Sequence, residues 1–352
     1  MKTVCVGIDV GSSSCKLAVI DKETRKLLHR ATVPTTAPAL WAELRALRGH
    51  EVHVHLEASE MAEWVRFVCK PAVGRVTVSH PTDNLYIARD RKKHDERDAL
   101  HLAEAAALEK YTPVYYTDDP VRAEFKRIVQ LYDRVVKALT QRKNSIKTAF
   151  RRVGIIEKGT AVYSEEGRKA VLETLALSPM AGTATRTALE ELYALMDSTE
   201  THRRRILQAI RPLAAQLREI KRFEEVPGIG FALACRFSAY VTDPKRFPNK
   251  RKLWQYCGLG ISSRSSDDKP LGREALDPKC VRALKAMSRS AVLSACRCKE
   301  DNVIKRTFQA VLDRGGEATH ARLTAQRKIL ALLRAMWIDG TNYRDEDMKK
   351  KD

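Results

Sequence analysis

The sequence predicts an α/β domain over residues 1–115, a helical coiled-coil region over 116–224 and a mainly α-helical C-terminal domain over 225–340, with a charged tail at 341–352. Three observations predict this. The first third alternates short β-branched runs with runs rich in Ala and Leu, as strands alternating with helices do. The middle third has few Gly or Pro and repeats apolar residues at helical spacing, in the stripe Ile128, Leu131, Val135, Leu139 and in the heptad seam Ile206, Ile210, Leu213, Leu217, Ile220. The last third strings helices around a polar loop that holds Ser262, Ser263, Ser265 and Ser266.

In chain order, residues 4–10 read as a buried strand ending at Gly11 and three serines, and 15–21 as its hairpin partner. A helix over 39–48 follows. Residues 51–58 alternate with period two, placing Val52, Val54 and Leu56 on one face and His53, His55 and Glu57 on the other. A helix over 60–70, a strand over 75–79, a break at His80-Pro81 and a helix over 95–109 complete the first domain. From Pro120 to 223 the pattern is helical, and its seam suits an antiparallel hairpin within one chain, with dimerisation through it as the alternative. The turn Val226-Pro-Gly-Ile-Gly230 then leads to helices over 231–240, 251–257, 279–299 and 318–338, and the tail from 344 is expected to be disordered.

The 352 residues carry 64 Lys+Arg against 44 Asp+Glu, a net charge of +20. Such an excess attracts polyanions and argues against a small-molecule enzyme without nucleic-acid or membrane contact. No apolar run approaches the ~18 residues of a membrane span, so no membrane partner is expected. The apolar run after Met1-Lys2 is interrupted by Asp9, unlike a signal peptide. Eight cysteines without a CxxC pair read as reduced thiols of a cytoplasmic protein rather than a zinc knuckle or disulfide framework.

Candidate metal ligands lie in the first domain. Asp9 and Glu57 end strands, and Asp95 and Asp98 stand at i and i+3 on a helix, so the latter two share a face. Strand-end carboxylates met by a helical pair can hold Mg²⁺ through oxygen ligands, and two such ions support phosphoryl transfer. An RNase H-like fold places carboxylates in this way. Asp9 carries most weight, because an Asp behind Val-Gly-Ile needs a partner; Asp95 and Asp98 also fit a solvated helix start. His53 and His55 are read as satisfied or exposed histidines rather than zinc ligands. The opening Gly7-Ile-Asp-Val-Gly-Ser-Ser-Ser also resembles the first phosphate loop of actin, Hsp70 and sugar-kinase ATPases. An actin/Hsp70-superfamily ATPase or kinase is therefore the alternative, although the later glycine motifs of that superfamily are missing. A non-enzymatic coiled-coil nucleic-acid binder is the third reading.

The positive charge is clustered. Residues 122–152 hold ten Lys/Arg against Glu124 and Asp133, and residues 202–222 hold seven against Glu219. Helical cations of one sign can track a phosphate backbone. Lys126, Arg127, Arg142, Lys143, Lys147, Arg151, Arg152, Arg203, Arg204, Lys250 and Arg251 are the candidate contacts. Gly228 and Gly230 join them, because Pro-Gly-Ile-Gly before a helix matches a helix-hairpin-helix turn whose N–H groups approach a phosphate.

Taken in order, Gly7-Ile-Asp9-Val-Gly, Leu56-Glu57, His94-Asp95-Glu-Arg-Asp98-Ala, Pro227-Gly-Ile-Gly230, Arg246-Phe247, Tyr256-Cys-Gly-Leu259 with its serine loop, and Arg327-Lys328 resemble the DEDD transposases of bacterial insertion sequences and the related Piv-type invertases. The resemblance spans most of the chain. It implies a RuvC-type RNase H-like domain, a coiled-coil region and a C-terminal domain with a nucleophilic serine. It also implies homo-oligomers, dimers or dimers of dimers, acting on donor and target DNA under the guidance of a structured bridge RNA. Asp9, Glu57, Asp95 and Asp98 then bind Mg²⁺, Asp98 alternatively serving as base or outer-sphere group. The serine forms a covalent phosphoserine link with DNA. Spacing from Gly258 assigns Ser266 that role, with Ser265 next and Ser262 and Ser263 after it; Ile261 stands where the family has Pro, and Asp267 where it has Gly.

Overall fold

β-Branched and apolar residues at alternate positions make Thr3–Val10 (β1) the centre of a mixed five-stranded sheet in the computed structural model of the chain. The structure describes residues 2–81, 95–262, 265–266, 269–270, 275–278 and 280–345, with the backbone alone at 95–96, 262, 265–266, 269–270 and 275. β1 turns at Gly11, whose N–H donates to Ser14 O at 3.0 Å, into β2 (Ser14–Asp21), antiparallel to it. β3 (Leu27–Pro34) adds antiparallel to β2 as an edge strand. The sequence pattern does not mark this strand, because an edge strand buries little and Leu27 and Leu28 are exposed. β4 (Glu51–Glu57) and β5 (Arg75–Ser79) extend the sheet parallel to β1, giving the order β3-β2-β1-β4-β5.

Helices cover both faces. α1 (Ala37–Ala46), capped by Thr36, and α2 (Ala62–Cys69) pack on Val4, Val6, Ile8, Val52, Val54 and Leu56. α3 (Asp95–Ala107) lies on the other face, where Ala103 and Ala106 meet Cys5 and Ile20. Its approach is unusually close. A Cβ on Gly7 would lie 1.9 Å from Ala99 O, 2.4 Å from Ala103 N and 2.9 Å from the Leu102 Cβ, so only glycine lets strand and helix backbones meet here. The mixed sheet with helices on both faces is consistent with an RNase H-like fold.

The chain divides into two compact units, Met1–Tyr116 and Thr117–Asp352. The second begins with α4 (Pro120–Arg152), capped by Asp119, whose Oδ1 accepts from the N–H groups of Val121 and Arg122. α5 (Glu165–Ala176), α6 (Thr183–Ala215) and α7 (Arg218–Phe223) follow. α4 and α6 pack as an antiparallel pair, since Tyr132 meets Arg203 while Phe150 meets Tyr193. The buried line on α4 runs through Phe125, Val129, Tyr132, Leu139, Ile146 and Phe150; Leu131, assigned to the stripe by spacing, is exposed. The heptad seam crosses a break at Gln216, where α6 ends, so Leu217 and Ile220 belong to the next turn of chain; with Ile210 they are buried in the unit's own core.

That core joins α4, α6 and α7 to α8 (Phe231–Val241), α9 (Lys250–Tyr256), α10 (Arg282–Arg297), α11 (Val303–Asp313) and α12 (Ala318–Asp339). The sequence places a division near residue 224; in the structure helices on both sides of that point share one core. α11, which the sequence pattern does not single out, is a short helix started by Asn302, whose Oδ1 accepts from Lys305 N. Buried polar ties reinforce the packing. Arg122 and Ser238 both donate to Glu219 Oε1, at 2.8 and 2.7 Å, and Arg236 and Tyr240 both bind the Asp133 carboxylate. Asp345, in the stretch expected to be disordered, is docked instead: it accepts from Val303 N and from Arg306, and the neighbouring Tyr343 N donates to Glu225. Between α9 and α10 the polar loop forms two short ribbons, β6 (Ile261–Ser262) with β9 (Ala275–Leu276) and β7 (Ser265–Ser266) with β8 (Lys269–Pro270).

Candidate active site and nucleic-acid surfaces

Parallel pairing of β1 with β4 sets Gly7 opposite His55 and Ile8 opposite Leu56. The next register position places Asp9 beside Glu57 at the C-terminal ends of both strands, and both residues are half-buried. Alternation fixes the face. Gly7 lies against α3, so Asp9, two residues on, shares that side, and Glu57 joins it with His53 and His55. α3 runs antiparallel to β1, because Ala99 lies at Gly7 and Ala106 at Cys5. Its first turn, residues 95–98, therefore begins over the strand ends that carry Asp9 and Glu57. Position 95 falls on the same helical stripe as Ala99 and Ala106, and Asp98 is half-buried. The side chain of Asp95 lies outside the described residues. Among the described residues no three His, Cys, Asp or Glu side chains converge as a metal ion needs. What the structure brings together is Asp9 and Glu57, hard oxygen donors suited to Mg²⁺, with the start of α3 above them.

His53 and His55 are both buried, and His55 Nε2 has no hydrogen-bond partner among the described residues. His53 Nε2 and His55 Nδ1 each lie 2.8 Å from Thr77 Oγ1 on β5, and the His55 ring centroid is 4.4 Å from that of Tyr111. Burial, with Arg75 adding to it, holds His53 down to about 4; burial and the neighbouring His53 hold His55 down to about 3. Both are neutral at pH 7. The unfolded chain takes up these protons near pH 6.5, so it binds more protons than the folded chain between about 4 and 6.5. The first unit is expected to keep its full stability above pH 6.5 and lose it progressively as pH falls toward 4. Thermal melts between pH 7.5 and 4.5 check this; a His53→Asn protein should show a shallower decline, and identical slopes would refute it.

The basic surfaces combine exposed cations with half-buried and paired ones. On α4 the exposed charged residues are Arg127, Arg134, Lys137, Arg142, Arg151 and Arg152, with Glu124 the sole exposed acid on that helix. Lys126 is half-buried. Lys143 and Lys147 stand 5.2 and 5.5 Å from the Tyr163 ring centre, a cation–π arrangement, and Lys147 also donates to Gly159 O. Arg203 is a structural tie, donating to both oxygens of Glu200 at 2.8 and 2.7 Å and to Tyr132 OH at 3.1 Å, whereas Arg204, on the same Glu200, is largely exposed. Lys250 and Arg251 are exposed at the start of α9.

Gly228 is required for packing against α10. Its φ is +85°, and a Cβ there would lie 2.2 Å from Ala291 O and 2.7 Å from Ala295 N on α10. The cavity of about 390 Å³ beside it is lined by Glu224, Glu225, Glu300 and Asp301, a poor setting for an anion. Gly230 is the N-cap of α8, and a Cβ there would meet nothing within 4 Å. In the remaining motif, Arg246 lies 4.9 and 4.8 Å from the ring centres of Phe247 and Tyr256. Ser266 lies on β7, its backbone paired with Lys269 of β8. Its side chain, that of Ser265 and that of Ser262 are outside the described residues, as are Ser263 and Asp267 altogether.

Comparison with known proteins agrees across both units. The IS110-type DEDD transposase family model, described as "Transposase", matches residues 6–155, and the model for "Transposase IS116/IS110/IS902 family" matches residues 220–307. The chain is also 27% identical over 330 residues to the insertion element IS110 uncharacterized 43.6 kDa protein of Streptomyces coelicolor, covering 93% of this chain and 70% of that protein. Both family models make the chain a transposase, and the mixed sheet of its first unit is consistent with that class. The chain belongs to the IS110 family of DEDD transposases. Membership implies phosphoryl transfer on DNA, a DNA partner and a divalent metal. It sets aside the ATPase reading of the Gly-Ser-Ser-Ser turn, whose first N–H is in any case taken by Ser14 O. No described helix is long and apolar enough to cross a membrane.

Proposed function

We propose that this chain is an RNA-guided recombinase that cuts and rejoins DNA at the element's ends and at its target, through a covalent phosphoserine intermediate on Ser266. The observation that carries the reading is the pairing of Asp9 with Glu57 at one register position on the α3 face of the sheet, in a chain of this family. Asp9, Glu57, Asp95 and Asp98 hold Mg²⁺, which when bound stabilises charge on the transferring phosphoryl group and the leaving oxygen. Ser266 Oγ loses its proton and forms an O–P bond, while the bond from phosphorus to a deoxyribose oxygen breaks and that oxygen takes up a proton. The exchange conserves the phosphodiester's energy in the serine ester, ready for rejoining. The carboxylates of one protomer serve the serine of another, which makes a homodimer or a dimer of dimers the working unit.

Exposed cations on α4, with Arg204, Lys250 and Arg251, bind the backbones of donor DNA, target DNA and a structured bridge RNA in the cytoplasm, at the nucleoid. The net charge of +20 on a chain that must hold three nucleic-acid partners supports this assignment.

The test is a covalent-adduct assay with the full chain, Mg²⁺, RNA transcribed from the element's end and a plasmid carrying the joined element ends. Wild-type protein should yield a protein–DNA adduct that survives denaturation, and Ser266→Ala should yield none. Adduct formation by Ser266→Ala at the wild-type rate would move the nucleophile to another serine, with Ser265→Ala the next variant to assay.

A further inference from the structure

The loop that carries Ser266 leaves the helical unit and returns to it at one place, and neighbouring residues of α12 hold both ends. On the outgoing side Leu259 O accepts from Arg327 Nε at 3.0 Å and from Arg327 NH2 at 2.7 Å. The backbone of the same arginine is fixed in turn, since Arg327 O accepts from Trp254 Nε1 of α9 at 3.0 Å. On the returning side the buried Gln326 donates to Lys285 O at 3.2 Å and to Ser288 Oγ at 2.9 Å, both on α10. Between these two grips the chain closes on itself through Leu259 N to Trp254 O, Asp277 N to Gly260 O and Val281 N to Tyr256 O. β6 and β9 then continue as a two-stranded neck.

We propose that Arg327 is a positioning residue for the serine ribbon, fixing the direction in which Ser266 leaves the helical unit. This deepens the assignment of Ser266 above and rests on it. Leverage makes the root decisive. A two-stranded ribbon is marginally stable by itself, so its root sets its course. Ser266 lies seven residues beyond Leu259, a maximum reach of about 23 Å at ~3.3 Å per residue. A tilt of about 5° at the root therefore moves the tip by roughly 2 Å, and a misplacement of ~1 Å at a reacting group can cost ~10²-fold in rate. A planar guanidinium that places two parallel N–H groups on one carbonyl resists that tilt in a way that a single ammonium donor does not.

The experiment measures single-turnover adduct formation by the full chain on the joined-end plasmid with element-end RNA, beside DNA affinity and thermal unfolding of the same preparations. Arg327→Ala is expected to slow adduct formation about 10²-fold with plasmid affinity within about twofold of wild type, and Arg327→Lys, which keeps a donor and the charge, to recover about tenfold of the loss. The proposal is overturned if Arg327→Ala forms adduct at the wild-type rate. It is equally overturned if rate, DNA affinity and thermal stability fall together, or if Arg327→Lys matches Arg327→Ala, since these mark a residue that only supports the fold. Ser266→Ala in the same assay separates the two claims: adduct persisting without Ser266 refutes the serine assignment itself, whereas adduct lost with Ser266 but indifferent to Arg327 refutes only the positioning role.

Discussion

Asp9→Asn is expected to leave the protein folded and to lower DNA strand cleavage by about 10³-fold or more, equivalent to ~4 kcal/mol of transition-state stabilisation. The substitution keeps the size of the side chain and removes its charge. The residue is half-buried at the end of β1, so neither the sheet register with β4 nor the core on the opposite face is disturbed. What is lost is one of two carboxylates brought to the same register position, the donor type that a hard divalent cation requires. Cleavage of the joined-end plasmid with Mg²⁺ checks this, with circular dichroism confirming the fold. A cleaving Asp9→Asn protein would show that the strand-end pair is not the metal site.

The second large effect concerns structure. Gly7→Val is expected to unfold the first unit, at a cost above about 4 kcal/mol, the range reached only by overpacking or other severe core faults. The new Cβ would enter the space of a helix carbonyl 1.9 Å away and a helix N–H 2.4 Å away, and backbone atoms cannot swing aside as the end of a long side chain can. Hydrogen exchange should show lost protection across β1, β4 and α3, while the separate core of the helical unit, including Phe223, Phe237 and Leu253, keeps its own. Wild-type protection in β1 and α3 of Gly7→Val would mean that the helix can lift off the strand without penalty. Because α3 also carries Asp95 and Asp98, any partial lift should reduce cleavage before it reduces solubility.

The strands β1, β2, β4 and β5 and most helices are legible in the sequence because each couples a periodic apolar pattern to Gly, Pro or a capping residue at its ends. β3 is not, since an exposed edge strand has neither a buried alternation nor a strong turn signal on both sides. The stripe through Leu131 fails for a related reason. In a helix this long the apolar positions drift around the axis, so Phe125, Val129 and Tyr132 are buried together with Leu139, while Leu131 is exposed. At the site, Asp9 and Glu57 are visible as two strand-end acids, but their shared face requires the parallel register with β4. At Gly228 the structure adds a requirement that spacing does not show. A glycine before a helix suits a phosphate, and here the same lack of Cβ is spent on contact with α10. Nothing in residue spacing points to Arg327 as the anchor of Leu259, because that contact joins positions 68 residues apart.

α4 takes part in two separate cores, through Phe125, Val129 and Tyr132 near its start and through Leu139, Ile146 and Phe150 toward its end. The helix is 33 residues long, about 50 Å at 1.5 Å per residue. Its continuity makes rotational phase a heritable quantity. Inserting one residue between Tyr132 and Leu139 would turn everything beyond by ~100°, carrying the distal core out of line with α6 and swinging Arg142, Arg151 and Arg152 to a different side of the arm. Related chains can therefore vary the arm's surface charge freely, but they can change its length without re-pairing only in steps that come close to whole turns, of which seven residues is the shortest that also preserves a heptad.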